Sequence, residues 1–525
     1  MASPRLAALI CFLFSLWSIP AIADHHEKKK NSPPPKEEKP EKNKNDDPPK
    51  EEISITQGSV RIDGTPIKYD ATAGKLHLKT EKEDKTKAEV FYTLYQLKDA
   101  TETATRPITF CFNGGPGSSS VWLHLGALGP RRVQLSKNGT STPPPPYRLV
   151  DNEYSMLDIS DLVLVDPVST GYSRAEDSEP SDFHGFNEDI SSMAEFIRLF
   201  ITRHERWDSP KYLLGESYGA IRVSGLADTL QSKHGLYLNG VTLLSGVLDF
   251  RTLVSHPGSD LVHVLYMPAY AATAHYHGKL KGALAEDLQK AMRDAENFAF
   301  DEYMPALLRG DSLDITKKAE IAGKMSRFTG LSIDYLIKAD LRPGPTRFRK
   351  ELLRDEESTV GRFDARIKGT DRDTLRSSPD YDPSYTVIFG AFSSAQNAYL
   401  REELKFESDI PYEILSSKVH PWSYKPFTNR YVNVTDKITN AMRTNVDLEF
   451  LVLGGYHDLA TPPAAIRYSL NHLPTLPESK DRIHYHDYDG GHMMYTNIPS
   501  LKAMKDDLKA FYERTKNVKS TQNQK

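Results

Sequence analysis

The stretch KYLLGESYGAIRVSGLA, residues 211–227, says most about the fold of this chain. An apolar run leads into a G-x-S-x-G pentapeptide at residues 215–219, and apolar residues at helical spacing follow it. The pentapeptide alone is a weak signal. Between a strand and a helix, however, it is typical of a nucleophile elbow, a tight turn that lifts a serine hydroxyl above a sheet. We therefore predict that Ser217 is a nucleophile; a glycine-rich turn without catalysis is the alternative.

Strand and helix patterns alternate on both sides of this turn. An amphipathic helix is predicted at residues 187–204, and buried strands are predicted at 108–112, 162–165, 211–214, 241–244, 448–453 and 483–488. This alternation favours a mostly parallel, doubly wound α/β sheet. Residues 53–97 instead show short alternating segments between turn signals at Asp63-Gly64 and Ala73-Gly74. They predict antiparallel strands at the start of the fold.

The alternation lapses between residues 251 and 382, where helical patterns such as 283–298 and 315–328 prevail. We interpret this stretch as a helical cap inserted between two parts of one core, residues 53–250 and 383–515. Insertions after sheet strands lie over the ligand site in α/β folds, so the cap is predicted to act as a lid. A separate domain without contact to the site is the alternative.

The ends of the chain have a different composition. Residues 1–23 are predicted to be a secretory signal, with Arg5 before an apolar run and Ala21-Ile22-Ala23 as the cleavage pattern. A membrane anchor is the alternative, but the run of about 14 residues is shorter than the roughly 20 that span a bilayer. Residues 24–52 are predicted to be a charged, disordered linker rich in Pro, Lys and Glu, and residues 516–525 a polar tail. A secreted or periplasmic location follows.

Charge and cysteine content exclude several classes of protein. The 525 residues carry a formal charge of −4, which favours neither nucleic acid nor an anionic membrane as a partner. Of two cysteines, Cys11 lies in the predicted signal and only Cys111 remains. An internal disulfide and a Cys-ligated zinc site are thereby excluded, and we expect neither metal nor cofactor.

A serine nucleophile needs a base and an orienting acid. Asp458 follows the strand at 448–453 and His492 follows the strand at 483–488, so both lie just past strand ends and in the order Ser, Asp, His. Three other histidines compete with His492 for the role of base: His457 beside Asp458, and His484 and His486 within a strand. A zinc site formed by His484, His486 and His492 lacks a convincing ligand set.

A glycine-rich loop, Asn113-Gly114-Gly115-Pro116-Gly117, follows the strand at 108–112. Such a loop lets backbone amides approach a developing oxyanion, together with the amide after the nucleophile. We predict that the amides of Gly115 and Tyr218 form the oxyanion hole. A phosphate-binding loop is the rival interpretation, but the lysine of that pattern is absent.

Six motifs together resemble the serine carboxypeptidase family of α/β-hydrolases. They are NGGPGSS at 113–119, LGP at 128–130, DPV at 166–168, GYS at 171–173, GESYG at 215–219 and GHM at 491–493, with the Asp458 loop between the last two. The resemblance spans about residues 107–495 and covers the cap only loosely. It implies an α/β-hydrolase fold and the removal of single C-terminal amino acids from peptides, usually at acidic pH.

The resemblance also implies roles for residues around the triad. Asn113, Gly114 and Glu216 occupy the positions that hold the terminal carboxylate of the peptide, and Met493 the position that lines the pocket for the departing residue. A glutamic acid can donate a hydrogen bond to a carboxylate only while it is protonated, so binding is expected to weaken as pH rises. Many members have a second glutamate where this chain has Ala127, so carboxylate recognition is expected to be altered or supplied by another residue.

The family's usual cysteine after the Gly-Pro-Gly turn is replaced here by Ser118. We therefore predict a bacterial-type secreted serine-type carboxypeptidase that acts on peptide substrates through an acyl-enzyme. An acyltransferase or esterase on the same scaffold is the second hypothesis. A non-catalytic binding protein that retained the fold is the third, and three intact catalytic elements speak against it.

Overall fold

The computed structural model describes residues 51–80, 85–98, 100, 105–474 and 477–516. The predicted signal, nearly all of the predicted linker and all of the predicted tail after Lys516 lie outside these residues. The last two linker residues are described and contact the second strand. Glu51 Oε1 accepts a hydrogen bond from the His77 amide at 2.9 Å, and the Glu52 carbonyl accepts one from the Lys75 amide at 3.0 Å.

The described strands and helices follow in chain order. The strands are β1 (Ile53–Ile62), β2 (Thr65–Lys79), β3 (Thr86–Leu97), β4 (Ile108–Phe112), β5 (Arg131–Val133), β6 (Leu149–Asp151), β7 (Asp161–Val165), β8 (Arg174–Ala175), β9 (Lys211–Glu216), β10 (Gly240–Leu244), β11 (Thr359–Val360), β12 (Lys368–Gly369), β13 (Glu449–Gly455) and β14 (Ile483–Tyr488). The α-helices are α1 (Val121–Leu123), α2 (Phe186–Arg203), α3 (Tyr218–His234), α4 (Leu261–Leu265), α5 (Met267–Tyr276), α6 (Ala283–Glu286), α7 (Leu288–Phe298), α8 (Met304–Leu307), α9 (Ile315–Thr329), α10 (Ile333–Lys338), α11 (Gly344–Glu351), α12 (Pro383–Glu402), α13 (Thr435–Thr444), α14 (Pro463–Asn471) and α15 (Ile498–Lys516).

Tighter and wider helical turns complete the list. Two π-helices span His124–Leu128 and Ala299–Tyr303. The 3₁₀ turns are Met156–Asp158, Pro180–Phe183, Phe250–Thr252, Gly310–Ser312, Arg354–Glu356, Ser417–Val419, Lys425–Phe427, Pro477–Arg482 and Met494–Thr496.

One large sheet organises the molecule, with strand order β1-β2-β3-β7-β4-β9-β10-β13-β14. β1, β2 and β3 are antiparallel, and β3 also pairs antiparallel with β7. From β7 to β14 every neighbouring pair is parallel. The predicted α/β-hydrolase class is confirmed: the sheet is mostly parallel, with helices on both sides. Because parallel strands end at one edge, the loops after β4, β9, β13 and β14 meet there.

Both faces of the central strands are buried, because successive side chains point to opposite faces. Leu213 of β9 belongs to the apolar cluster that includes residues of α2 and α3. Its neighbours Tyr212 and Leu214 belong to the other cluster, which includes residues of α12 and α15. Continuous apolar runs therefore mark these strands, which is why the sequence located them to within two residues.

Three local predictions were wrong. The strand predicted to be buried at 483–488 exists as β14, but only its last residue is buried. Ala73-Gly74 is not a turn: both residues lie inside β2, where Gly74 pairs with Ile53 of β1 and with Tyr92 of β3. Pairing on both sides overrides the turn preference of a single glycine. The helix predicted at 283–298 is two helices, because Asp287 is extended (φ −133°, ψ 103°) and caps α7 by accepting from the Lys290 amide.

The stretch 251–382 contains α4 to α11 and has an apolar core of its own. That core is formed by residues such as Tyr270, Phe298, Met325 and Phe348, and it also includes Leu459 from the loop after β13. The boundaries of the cap and its action as a lid remain predictions. Within the described ranges, no helix is both long and apolar enough to cross a bilayer.

Candidate active site

Ser217 lies at the turn between β9 and α3. Its backbone has φ 62° and ψ −124°, a conformation that residues other than glycine rarely adopt. The turn is tight: a Cβ on Gly215 would lie 2.2 Å from the Gly219 carbonyl oxygen. The Ser217 amide donates to the Leu244 carbonyl at 3.0 Å, which fastens the strained turn to β10. This is the geometry expected of a nucleophile elbow, and the side chain is only partly buried.

Asp458 and His492 form a buried pair on the loops after β13 and β14. Asp458 Oδ2 accepts from His492 Nδ1 at 2.8 Å. Asp458 Oδ1 accepts from the amides of Ala460 and Thr461 at 2.7 and 3.0 Å. Since an ionised carboxylate only accepts hydrogen bonds, the proton lies on Nδ1 of His492 and leaves Nε2 as the basic atom.

The serine and the histidine are not yet joined. Ser217 Oγ makes no hydrogen bond within the described part of the chain, whereas the Asp458–His492 pair is complete. Catalytic hydrogen bonds are often long before substrate binds. The loops thus bring Ser217, Asp458 and His492 to one sheet edge, and their catalytic roles remain a proposal.

Residues of the predicted cap lie directly against His492. The His492 amide donates to the Phe363 carbonyl at 2.5 Å, and the two rings lie 5.2 Å apart between centroids. The Leu459 amide donates to the Arg362 carbonyl at 3.1 Å. A Cβ on Gly491 would lie 2.1 Å from the Phe363 carbonyl oxygen, so only glycine permits this approach. The segment around Phe363 therefore supports both loops of the Asp458–His492 pair.

The two amides predicted for the oxyanion hole are free to donate a hydrogen bond to a substrate. Within the described ranges, neither the Gly115 amide nor the Tyr218 amide donates a hydrogen bond to the protein. Tyr218 is the first residue of α3, where amides have no partner inside the helix. Unpaired amides beside the nucleophile are what an oxyanion hole requires.

Glu216 is buried beside the nucleophile and carries two hydrogen bonds on one oxygen. Asn113 Nδ2 and the Tyr495 hydroxyl both donate to Oε2, each at 2.8 Å. Among the described residues, Oε1 has no hydrogen-bond partner. Burial raises the pKa of Glu216 to about 7, against the opposing effects of the His492 charge and the two donors. The carboxyl is thus protonated through the acidic range.

Burial has the opposite effect on the pKa of His492, which it lowers. Burial disfavours its charged form, but the Asp458 carboxylate, its hydrogen bond and the charge of Glu216 outweigh burial. The pKa of His492 is therefore raised above its ordinary value. Because Glu216 and His492 influence each other's pKa, their protonation states are linked.

Tyr495 was missed by the sequence reasoning. It lies three residues after His492, and its ring fits against Gly126, where a Cβ would lie 2.7 Å from Cε2 of the ring. Ala127, the residue after Gly126, is buried in the π-helix at His124–Leu128 and contributes no polar side-chain atom. A tyrosine three residues after His492 is not a recognisable signal in one sequence, so only the tertiary contact reveals it.

A buried ion pair between Arg222 and Asp189 contacts the backbone of Asn113. Arg222 of α3 donates through Nε to Asp189 Oδ2 at 2.8 Å and through Nη1 to the Asn113 carbonyl at 2.6 Å. Both charged side chains are almost fully buried. The Asn113 Oδ1 accepts from the Leu123 amide at 3.1 Å. These contacts fix the asparagine on the Glu216 side of the site.

The competing histidines have other partners. His457 is buried and lies 3.3 Å from Asp489, His484 bonds Glu449 at 2.9 Å, and His486 lies 3.4 Å from Asp507. None of them contacts Asp458 as His492 does. No cluster of three metal-ligating side chains occurs in the described part of the chain.

A row of aromatic rings leads outward from His492. The ring centroids of Tyr385 and Phe363 are 6.1 Å apart, and those of Phe389 and Tyr385 are 5.1 Å apart. The Trp122 ring also packs near Tyr385, with 6.2 Å between centroids. Phe389 is 43% exposed, so the row reaches solvent. Tyr385 and Phe389 lie one turn apart on α12, whereas Trp122 and Phe363 come from other parts of the chain, so the sequence does not show that these rings meet.

The family model described as "Serine carboxypeptidase" matches residues 66–503. The chain belongs to the serine carboxypeptidase family. The predicted family is confirmed.

Individual members of the family are distant. Serine carboxypeptidase-like 45 of Arabidopsis thaliana is 30% identical over 178 residues, 32% of this chain and 36% of that protein. The lysosomal protective protein of Mus musculus is 26% identical over 327 residues, 60% of this chain and 61% of that protein. The matches thus span about a third to three fifths of these relatives.

A solved structure supports the fold. The prohormone-processing carboxypeptidase Kex1ΔP from Saccharomyces cerevisiae superimposes with a TM-score of 0.54 at 16% identity. The match covers 85% of this chain and 92% of that one. At this identity the likeness concerns the fold alone.

Proposed function

We propose that this protein is a serine-type carboxypeptidase that releases C-terminal amino acids from peptides through an acyl-enzyme. The observation that carries the proposal is the buried Glu216, held by Asn113 directly beside Ser217. General ester or peptide hydrolysis needs a triad and an oxyanion hole. A buried carboxyl next to the nucleophile, neutral in acid, is an additional feature that suits recognition of a free carboxylate.

The reaction follows from the roles proposed for the triad. His492 Nε2 takes the proton of Ser217 Oγ as this oxygen bonds to the carbonyl carbon of the last peptide bond. The amides of Gly115 and Tyr218 donate to the resulting oxyanion. His492 then gives its proton to the peptide nitrogen, the C–N bond breaks and the C-terminal amino acid leaves. Water, deprotonated by His492, cleaves the ester and restores Ser217; Asp458 stabilises the imidazolium in both halves.

The terminal carboxylate of the peptide is proposed to bind beside Glu216. The Gly114 amide donates to no acceptor within the described ranges, and Asn113 Nδ2 has a second proton besides the one given to Glu216. Protonated Glu216 adds a third donor. Three donors around one carboxylate place the scissile bond at a fixed distance from Ser217, which restricts cleavage to the last residue.

Proton placement links binding to catalysis. When Glu216 and His492 hold one titratable proton between them, two arrangements are possible. In the productive one Glu216 is protonated and His492 is neutral; in the other Glu216 is ionised and His492 is charged. A substrate carboxylate repels the ionised form of Glu216 and accepts from the protonated form. Binding therefore favours the state in which His492 is free to act as a base, and we propose that the free-acid substrate binds best at acidic pH.

The side chain of the departing residue is proposed to be apolar. Met493 is 7% exposed and belongs to the same apolar cluster as Trp122. The aromatic row from Phe363 to Phe389 adds further apolar surface near His492. We expect kcat/KM to be higher for a blocked dipeptide ending in Phe than for one ending in Asp; equal values would contradict the preference.

The deciding experiment compares one blocked dipeptide as free acid, amide and ester. Activity on the free acid that is lost on the amide supports the exopeptidase. Activity on the ester alone supports an esterase or acyltransferase instead. Ser217→Ala is expected to lower kcat on the free acid by at least about 10⁴-fold without changing the fold, because the nucleophile is removed. An unchanged kcat would exclude Ser217 as the nucleophile.

Secretion is proposed from the signal pattern at residues 1–23, which lies outside the described residues. When the full chain is expressed in a secreting host, the exported protein is expected to begin at Asp24. N-terminal sequencing tests this, and a start at any other residue would contradict cleavage after Ala23.

A further inference from the structure

The hydroxyl of Tyr495 is the second donor to Glu216. It donates to Oε2 at 2.8 Å, the same oxygen that accepts from Asn113 Nδ2 at the same distance. An oxygen that accepts two hydrogen bonds is a poor place for a proton, because the proton would point at other hydrogens. The proton of the neutral carboxyl therefore belongs on Oε1.

The position of Tyr495 is determined by packing. The side chain is buried in the apolar cluster that includes the α12 and α15 residues. A Cβ on Gly126 would lie 2.7 Å from Cε2 of its ring, so the absence of a side chain at residue 126 gives the ring its space. The phenol cannot ionise in the working range, since burial and the neighbouring Glu216 raise the pKa of Tyr495 well above its ordinary value. It stays a donor at every pH of interest.

We propose that Tyr495 is a positioning residue for recognition of the substrate carboxylate, which keeps the proton of Glu216 on Oε1 and directs it to the substrate. The proposal rests on the function proposed above. It assigns to a neutral phenol, brought by the segment after His492, the task of orienting the acid. Tyr495 itself needs no contact with the substrate.

The test is Tyr495→Phe, which keeps the ring and removes the donor. Tyr399→Phe is the matched control, because the Tyr399 hydroxyl is also buried but bonds Tyr95 at 2.9 Å. For one blocked dipeptide, KM and kcat are measured from pH 4 to 8 with the free acid, and the amide is tested as a competitive inhibitor, which gives its Ki. We expect KM for the free acid to rise roughly tenfold in Tyr495→Phe at acidic pH, at least fivefold more than Ki of the amide.

The pH profile separates a positioning role from a structural one. A donor to the carboxylate favours its ionised form, so its removal keeps Glu216 protonated to higher pH. We expect the rise of KM for the free acid to begin at higher pH in Tyr495→Phe than in the wild type and in Tyr399→Phe. A profile that coincides with the wild type, or equal changes for free acid and amide, would overturn the proposal.

A second variant guards against a folding defect. Gly126→Ala displaces the ring of Tyr495 without removing its hydroxyl, and the same selective rise in KM for the free acid is expected. If wild-type protein does not distinguish free acid from amide, both the proposed function and the role of Tyr495 are overturned. If it does so and both variants behave like the control, only the role of Tyr495 is overturned.

Discussion

Glu216 is the titrating residue among the three proposed donors to the substrate carboxylate. Its carboxyl is buried, has a pKa raised to about 7, and is oriented by Asn113 and Tyr495. A substrate carboxylate is ionised above about pH 4. Below pH 7, Glu216 can therefore donate to an ionised partner, whereas above pH 7 two negative charges face each other.

The first prediction concerns the pH dependence of binding. In the wild type, KM for a free-acid peptide is expected to be flat between pH 5 and about 6.5 and to rise about tenfold per unit well above pH 7. Glu216→Gln removes the titrating group but keeps a donor, so its KM is expected to stay flat to pH 8. Steady-state kinetics from pH 5 to 8.5 tests this, with the Ki of the amide, measured as a competitive inhibitor, as control. A wild-type KM without pH dependence would contradict it.

The same variant changes the base. The charge of Glu216 helps to raise the pKa of His492, so its removal lowers that pKa. The acidic limb of kcat/KM reports the free enzyme, and we expect it to lie at lower pH in Glu216→Gln than in the wild type. An unchanged limb would show that Glu216 is not ionised when His492 titrates.

A second prediction concerns the buried Arg222–Asp189 pair. Burial raises the pKa of Asp189 and the Arg222 charge lowers it, so the carboxylate depends on this partner. Arg222→Met is expected to lower the free energy of unfolding by about 3–5 kcal/mol, because an unpaired charge stays buried. Urea unfolding measures the loss. The double variant with Asp189→Leu is expected to recover most of it; no recovery would show that the arginine acts through another contact.

The elements that carry the site are the loops after parallel strands. β4 leads to Asn113, β9 to Ser217, β13 to Asp458 and β14 to His492. Their strands are neighbours in the sheet apart from β10, which lies between β9 and β13. The segment around Phe363 comes from a different part of the chain and contacts the loops after β13 and β14.

A third prediction tests this contact between elements. Gly491→Ala places a methyl group 2.1 Å from the Phe363 carbonyl oxygen, so the segment or the His492 loop must move. Displacement of a catalytic group by about 1 Å typically costs about 10²-fold in rate, and kcat is expected to fall by that order. Gly323→Ala is the matched control, because a Cβ there meets nothing within 4 Å. Equal kcat values for the two variants would show that the contact does not position His492.

Within the described residues, Cys111 is free, so this part of the chain is stabilised by burial without a disulfide. Cys111 is buried in β4, and burial raises its thiol pKa out of the reactive range. The fourth prediction is that a reductant shifts the midpoint of thermal unfolding of the exported protein by less than about 1 °C, since loss of a native disulfide typically costs several kcal/mol. A larger fall on reduction would reveal a cross-link and contradict removal of Cys11 with the signal.

The sequence alone determined the strand order along the chain, the elbow at Ser217 and the two loops of Asp458 and His492. It could do so because β9 and β13 are buried apolar runs, β14 has an alternating pattern, and Ser217, Asp458 and His492 follow these strands within a few residues. These are local features, readable within about ten residues.

Only the tertiary structure decided which residues orient the site. Tyr495 on Glu216, Arg222 behind Asn113 and Phe363 on His492 each join positions that are far apart in the chain. The same holds for the failed turn at Ala73-Gly74, where strand pairing on both sides prevailed over local preference. Contacts of this kind depend on how the elements pack, and packing distances are not encoded in any short stretch of residues.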